Sequence, residues 1–322
     1  MPTMKDVAEL ANVAVGTVSR VINKNGTVKE STRKKVEEAI KEINYVTNSY
    51  ARGLKTNKTN TIALIIPTIW HPFFSELAYY VETELEKKGY KCLLCNSDGN
   101  ARKELEYITM LQQNKVDGII AISYNDLDQY VSSNLPFISI DRHFEDDVIH
   151  VTADNLQAGE IAASELMKRG CKHLAYIGGY SKFPNETKKR KESFIKLAKE
   201  NKVKVSELSM PEPINDLEEQ VINFIESNKS IDGIFAINDF MALDVIEILK
   251  KLKKNVPDDI QIIGCDGIKL SLEREELVST IKQPVRDMAK MSVGNLIKII
   301  SKEPVEDQAI LPVKFIAGKT TK

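Results

Sequence analysis

The sequence predicts an α/β protein that carries a small all-helical head. From residue 61 onward, short apolar runs alternate with amphipathic stretches, the βα pattern that builds parallel sheets flanked by helices. The runs fall into two successive sets, so the body is expected to form two similar lobes. The first sixty residues instead read as short helices, and their charge is opposite in sign to that of the rest. They hold 11 Lys/Arg against 6 Asp/Glu, a balance of +5, while the remaining 262 residues hold 34 against 40. A basic head on an acidic body points to an anionic partner for the head alone, most simply nucleic acid.

Composition fits this plan. The 322 residues, 42% hydrophobic and 28% charged, exceed one ordinary domain. No apolar run reaches about 18 residues, and the start, Met1-Pro-Thr-Met-Lys-Asp6, has no apolar stretch behind a basic one. Membrane spans and classical secretion are therefore disfavoured, and the expected location is cytoplasmic. Four scattered histidines form no metal motif. Cys92-x-x-Cys95 lies in an apolar run with no second ligand pair, so its thiols are expected to serve as small hydrophobes.

Within the head, Thr3-x-x-Asp6 has capping-box spacing ahead of Val7, Leu10 and Ala11. After a break near Asn12-Val-Ala14, a second helix runs from Val15 to Asn23, with Val18 and Ile22 expected on one face and Thr17 and Arg20 outward. Asn25-Gly26 ends it with residues that tolerate a left-handed turn. Ser31 is expected to cap a third helix whose Val36, Ala39, Ile40 and Ile43 share a face. Two short helices joined by a tight turn, then a supporting helix, is the helix-turn-helix plan, whose second helix enters the major groove.

In the body, strands are expected at 61–66, 92–95, 118–122, 137–140, 174–177, 233–237 and 260–263. Helices are expected at 74–88, 102–114, 155–169, 187–200, 216–227 and 239–253. Parallel sheets bind ligands beyond the carboxyl ends of their strands. The residues there are Trp70, His71, Phe73, Phe74, Asp98, Ser123, Asp141, Arg142, Gly178, Gly179, Asn238, Asp239 and Asp266. Aromatic rings among carboxylates, an amide and an arginine suit a small polyhydroxylated ligand, the rings covering its apolar face and the polar groups pairing with its hydroxyls.

Asp6-Val-Ala, Thr17-Val-Ser-Arg-Val and Thr32-Arg33 through Asn44-Tyr45 closely resemble the amino-terminal domain of the lactose-repressor (LacI) family of bacterial transcription regulators. Asn48-Ser-Tyr-Ala51-Arg52-Gly-Leu54 resembles that family's hinge helix, and the body resembles its core, which is similar to periplasmic sugar-binding proteins. The resemblance implies a helix-turn-helix domain at 1–46, a hinge and linker at 47–60, and an effector-binding, dimerising core at 61–322. One lobe would be 61–156 with 286–312, the other 157–285 with the carboxyl terminus. Helices near 73–85 and 101–114 are the expected dimer surfaces.

By the same resemblance, Val15, Gly16 and Arg20 face bases, while Thr3, Thr17, Ser19, Asn23 and Thr32 serve the DNA backbone. Asn48, Ala51 and Leu54 belong to the hinge, whose leucine wedges into the minor groove. Val15 and Gly16 offer no bidentate hydrogen bonds, so direct readout is expected to rest on Arg20. The resemblance places Phe73, Phe74, Asp141, Arg190, Asn238 and Asp266 around an effector, beside Trp70 and Arg142. Two departures stand out: Ser193 replaces the usual glycine of Arg-x-x-Gly-Phe, and Trp70-His71 replaces a small residue and asparagine. Ile138-Ser-Ile-Asp-Arg-His143 resembles regulators of sucrose and fructose utilisation, which implies a sugar or a sugar phosphate, with Arg142, Arg190 and Lys182 placed to meet a phosphate.

No enzyme is expected. Gly318-Lys-Thr320 mimics the end of a phosphate loop, but Val313 stands at its first glycine. There is no nucleophile elbow, His-Glu-x-x-His or assembled acid–base pair, and no cofactor or metal is implied. The expectation is a homodimeric repressor that binds a palindromic operator and is controlled by a small effector; the alternative is a free solute-binding protein, which would need a leader peptide and no basic head.

Overall fold

The structure, a computed structural model, describes residues 2–23, 25–45, 58–113, 115–131, 135–144, 148–183, 185–271, 273–306 and 308–322. The chain divides into two compact units, 1–59 and 60–322. The hinge residues Asn48, Ala51 and Leu54 lie outside the described residues.

The first unit holds α1 (Met4–Leu10), α2 (Val15–Ile22) and α3 (Glu30–Glu42). The Thr3 amide donates to Asp6 Oδ2 at 2.6 Å, and the Asp6 amide donates to Thr3 Oγ1 at 3.4 Å, closing the capping box. Those bonds hold the Asp6 carboxyl below its ordinary value. Asn12 takes a left-handed φ of 50° in the turn to α2. The core packs Val7, Ala8, Ala11, Val18, Val21, Val36 and Ala39.

Val18 and Ile22 share the face toward this core, Ile22 at its edge, and the buried Val21 joins them. One expectation needs correction: α3 starts at Glu30 with Lys29 at the N-cap, so Ser31 lies inside its first turn. Val28, partly buried against the head's core, pins the incoming chain there, and Glu30 puts an acidic side chain at the positive end of the helix.

The second unit has two lobes, each built on a six-stranded sheet. In lobe 1 the strands are β1 (Thr61–Ile66), β2 (Lys91–Asn96), β3 (Gly118–Ala121), β4 (Phe137–Ile140) and β5 (His150–Ala153). In lobe 2 they are β6 (His173–Tyr180), β7 (Lys204–Pro211), β8 (Gly233–Ala236), β9 (Gln261–Asp266) and β10 (Thr280–Lys282). β11 (Gln308–Leu311) returns to lobe 1 and β12 (Lys314–Ile316) to lobe 2.

The orders are β2-β1-β3-β4-β5-β11 and β7-β6-β8-β9-β10-β12, parallel except for the antiparallel β10–β12 pair. The first five strands of each sheet thus repeat one doubly wound topology. Such a sheet opens a crevice where the strand order reverses, beyond β1 and β3 in one lobe and β6 and β8 in the other.

The helices of lobe 1 are α4 (Pro72–Lys87), α5 (Ala101–Gln112) and, from the far end of the chain, α10 (Val285–Ile300), which packs on α4. Lobe 2 carries α6 (Asn155–Lys168), α7 (Lys188–Glu200), α8 (Leu217–Ser227) and α9 (Asp239–Lys251). The chain crosses between lobes after β5, after β10 and between β11 and β12. Both faces of β1 are covered: Ile62, Leu64 and Ile66 join one apolar cluster, Ala63 and Ile65 another. That two-sided burial is why the strand reads as a continuous apolar run. Cys92 and Cys95 sit on edge strand β2, where burial pushes both thiols up to about 11. The carboxyl-terminal Gly318-Lys-Thr320 is stitched to lobe 2: the Gly318 amide donates to Ser279 Oγ at 2.9 Å, and Thr320 Oγ1 donates to the Ile262 carbonyl at 2.7 Å.

Candidate functional site

In the head, α2 turns Val15, Gly16 and Arg20 to solvent. Val15 is 41% exposed, although a β-branched apolar residue gains nothing from water. A Cβ on Gly16 would meet nothing within 4 Å, so no contact inside the unit requires glycine there. Arg20 Nε donates to the Gly16 carbonyl at 3.2 Å, laying the side chain back along the helix. Asn23 Nδ2 donates to the Ser19 carbonyl at 2.8 Å and to Ser19 Oγ at 3.2 Å. Thr17 and Thr32 are half-buried, and Thr3 is occupied as the α1 cap.

In the second unit, the strand ends converge from both lobes. Asp141 follows β4 with a left-handed φ of 56° and is buried. Its Oδ1 accepts from Thr152 Oγ1 at 2.7 Å, and Thr152 Oγ1 in turn accepts from Asn155 Nδ2 at 3.1 Å. Asn155 Oδ1 accepts from Arg190 Nε, and Arg190 Nη1 donates to the Ile237 carbonyl at 3.1 Å. A continuous polar relay thus runs from a lobe 1 strand end to the arginine of α7. Burial works against the charge of Arg190, but Cys265, Asp266 and Asp141 outweigh it and raise its pKa above the ordinary value.

Asp266 ends β9 with φ 130° and accepts from Gln283 Nε2 at 2.7 Å. Burial pushes its carboxyl up to about 8; Arg190 opposes this and Asp239 adds to it. Asn238 caps α9 through Oδ1, which accepts from the Met241 amide at 2.8 Å. Asp239 is fully buried, its Oδ2 accepting from the Gly267 and Ile268 amides at 2.9 and 2.7 Å, which fixes the loop behind Asp266.

On lobe 1, Phe73 and Phe74 are 5% and 9% exposed, with rings 5.4 Å apart edge to face. Both belong to the main core, but Phe74 also reaches His71, 5.2 Å away. Arg142 is buried, pairs with Asp128 at 2.7 Å and lies 4.4 Å over the Phe144 ring. The structure therefore brings Asp141, Arg190 and Asp266 together between the lobes, with Phe74 joined to them through His71 and Phe73 behind it; Asn238 is engaged as the α9 cap, and Arg142 lies over Phe144. It does not bring Trp70, which is 89% exposed and enters no ring pair among the described residues. Lys182 is exposed, 5.8 Å from the Phe183 ring.

Several cleft residues escaped the sequence reading. Tyr124, just beyond β3, has its hydroxyl pKa raised by burial and then by the charges of Asp141 and Glu212, which places it among the cleft carboxylates. Asn155 holds Arg190, Gln283 holds Asp266, and Phe240 meets the His71 ring. Phe240 was the most findable, since it follows Asn238-Asp239 at a strand end; Asn155 and Gln283 follow strands too short and polar to stand out. The Ser193 departure has a local explanation: α6 offers Gly159 opposite it, where a Cβ would overlap Ser193 Oγ.

A basic helix-turn-helix unit attached to a two-lobed core with a polar interlobe cleft defines a ligand-responsive DNA-binding regulator. Residues 3–48 match the model of bacterial regulatory proteins of the lacI family, and residues 62–304 match a periplasmic binding protein domain. The chain is 36% identical to the ribose operon repressor of Halalkalibacterium halodurans, over 100% of this chain and 98% of that protein. It is 37% identical to the sucrose operon repressor of Streptococcus mutans, over 98% of each. Among solved structures, the lac repressor dimer bound to operator and the anti-inducer ONPF superposes with a TM-score of 0.86 at 22% identity, covering 99% of both chains. The chain belongs to the LacI family and is a transcriptional repressor, not an enzyme. No helix among the described residues is long and apolar enough to cross a membrane.

Proposed function

We propose that the interlobe cleft takes an uncharged sugar, and that its occupancy controls how a dimer of these chains holds a palindromic operator in the cytoplasm. One observation carries the ligand class. Buried polar atoms at the strand ends facing the gap between the lobes lack partners: Arg142 Nε and Nη1, His71 Nδ1 and Gln283 Oε1. Each such atom costs about 1–3 kcal/mol if left unmade, and a ligand rich in hydroxyls supplies both donors and acceptors. Phe74 offers the apolar surface that one face of a sugar ring needs.

The charges favour a neutral sugar over a sugar phosphate. Arg190 faces Asp141, and Arg142 is paired with Asp128, so neither arginine has charge to spare for a dianion. Relatives that control ribose and sucrose operons support the class without choosing the sugar.

For DNA, the proposal assigns Val15, Gly16 and Arg20 to base edges and Thr3, Thr17, Ser19, Asn23 and Thr32 to the backbone, with Asn48, Ala51 and Leu54 as the hinge contact. Two-fold symmetry of the dimer would match the two operator half-sites. The dimer surface is assigned to lobe 1, where Leu93 and Leu94 on edge strand β2 are 36% and 46% exposed and Tyr79 on α4 is 55% exposed. Calorimetric titration with D-ribose, D-fructose, sucrose, sugar phosphates, purines and amino acids tests the cleft. Binding of an uncharged sugar with loss or gain of operator affinity is expected; binding confined to purines or amino acids would overturn it.

A further inference from the structure

His71 has entered so far only through its unpartnered Nδ1 and its contact with Phe74. We propose that His71 is the size filter of this cleft, its ring plugging the rim between the two lobes so that a monosaccharide is admitted and a disaccharide refused. This rests on the reading of the cleft as a sugar site.

The placement follows from the local chain. His71 is the N-cap residue of α4, with extended backbone (φ −83°, ψ 122°), and Pro72 follows it. Its side chain makes no capping bond, so the imidazole is free to leave the helix axis. The loop before it is pinned, because the Ile69 amide donates to Asn96 Oδ1 at 2.9 Å and Ser75 Oγ donates to the Ile69 carbonyl. The loop that carries the ring is therefore held in place.

What it touches belongs to both lobes. Phe74, of lobe 1, lies 5.2 Å away, and Phe240, of lobe 2, meets it edge to face at 4.6 Å. Nε2 stands 3.9 Å from Asp266 Oδ2, also of lobe 2, and the side chain is only 16% exposed. The ring thus spans the gap directly beside the carboxylate assigned to the effector. Nδ1 is buried without a partner. A residue serving only to pack the rim would be better apolar, since the unmade bond carries a cost. Burial holds the imidazole neutral, with its pKa lowered to about 4, so it meets a ligand at physiological pH as a hydrogen-bonding wall and not as a charge.

The test uses the full chain. D-ribose, D-fructose and sucrose are titrated into the wild type, His71→Ala and His71→Gln. The wild type is expected to prefer a monosaccharide over sucrose by about 100-fold or more. His71→Ala should shrink that ratio at least tenfold, chiefly by tighter sucrose binding, while the bulkier His71→Gln keeps most of it. A ratio unchanged within twofold in His71→Ala, or a wild type that binds sucrose as well as monosaccharides, overturns the filter. A second measurement needs no sugar. The chain has four histidines, so the imidazole NMR signal missing from His71→Gln identifies His71. In ligand-free wild type it should remain neutral down to pH 5, and Phe240→Ala should raise its midpoint by a unit or more. An ordinary titration near pH 6.5 in the wild type means the ring is not wedged, which also overturns the proposal. If the ring is wedged and no sugar binds, the sugar reading fails and takes the filter with it; if sugars bind and selectivity does not move, the filter alone fails.

Discussion

Asp266 should make the core less stable as the solution turns alkaline, and one substitution isolates its share. Its carboxyl is raised from an ordinary 3.8 to about 8, first by burial and then by Asp239, against the pull of Arg190. Between those values the folded chain keeps a proton that the unfolded chain has lost. Stability is fully present below pH 4 and falls as pH rises toward 8, by about 1.4 kcal/mol per pH unit. His71 has the opposite sign: lowered from 6.5 to about 4, it contributes stability above pH 6.5 that is lost on the way down to 4. The two partly cancel in mildly acidic solution. Above 6.5 the His71 contribution levels off and is the same in wild type and an Asp266 variant, and Asp239, raised to about 6, has largely finished titrating.

The window from pH 6.5 to 7.5 therefore belongs mainly to Asp266. Asp266→Asn keeps the shape and an oxygen to accept from Gln283, and has no proton to lose. Urea unfolding of the core, followed by circular dichroism at both pH values, should show the wild type losing about 1 kcal/mol more than the variant across that unit. Equal slopes would refute the reasoning, because they would mean Asp266 is ionised in the folded chain at neutral pH.

Arg20→Ala should abolish preference for the operator over unrelated duplex while calorimetric sugar binding persists; intact discrimination would remove Arg20 from readout. Gly16→Ala should stabilise the head by about 0.5–1 kcal/mol, since its Cβ meets nothing, yet weaken operator binding in an anisotropy assay if the backbone closes on DNA there. Unchanged affinity would show that the glycine answers to no contact. Arg190→Met strands the Asp141 carboxylate in a buried site and should cost about 3–5 kcal/mol of core stability by urea denaturation at neutral pH, with loss of sugar binding. A loss under 1 kcal/mol would mean the carboxylate does not depend on it.

The doubly wound lobes were legible because their central strands are buried on both faces, and burial writes itself as unbroken apolar runs such as Ile62 to Ile66. What stayed hidden was polar or short. β7 is an exposed edge strand reading Lys-Val-Ser-Glu-Leu-Ser, and β10 and β12 are three residues each, below any usable period. α10 buries Val285, Met288, Ala289, Ser292, Val293, Asn295 and Leu296, a helical face whose polar members Ser292 and Asn295 break the apolar pattern. At the cleft, residues that directly follow apolar strands were found, as with Asp141 and Asp266. Trp70 was named on the same rule, but its ring turns to solvent, while its neighbour His71 turns inward. Position after a strand identifies a candidate, and the rotamer and the opposing lobe decide whether it joins.

An effector changes the balance between two lobe arrangements only by binding one of them better than the other. A contact made wholly within one lobe survives lobe motion and contributes nothing to that difference. The useful contacts are those that need both lobes at once: Asp141 and Phe74 on one side, Asp266, Asn238 and Arg190 on the other. A 100-fold change in the balance requires about 2.7 kcal/mol. At about 1 kcal/mol for each net hydrogen bond, two or three interlobe bonds suffice. Arg142 Nε and Nη1 on lobe 1 and Gln283 Oε1, beside Asp266, are already buried and unpartnered, so their desolvation cost is met before the ligand arrives. A sugar that satisfies groups on both sides gains most where the lobes stand close, and one truncated so that it reaches a single side should still bind yet leave operator affinity unmoved.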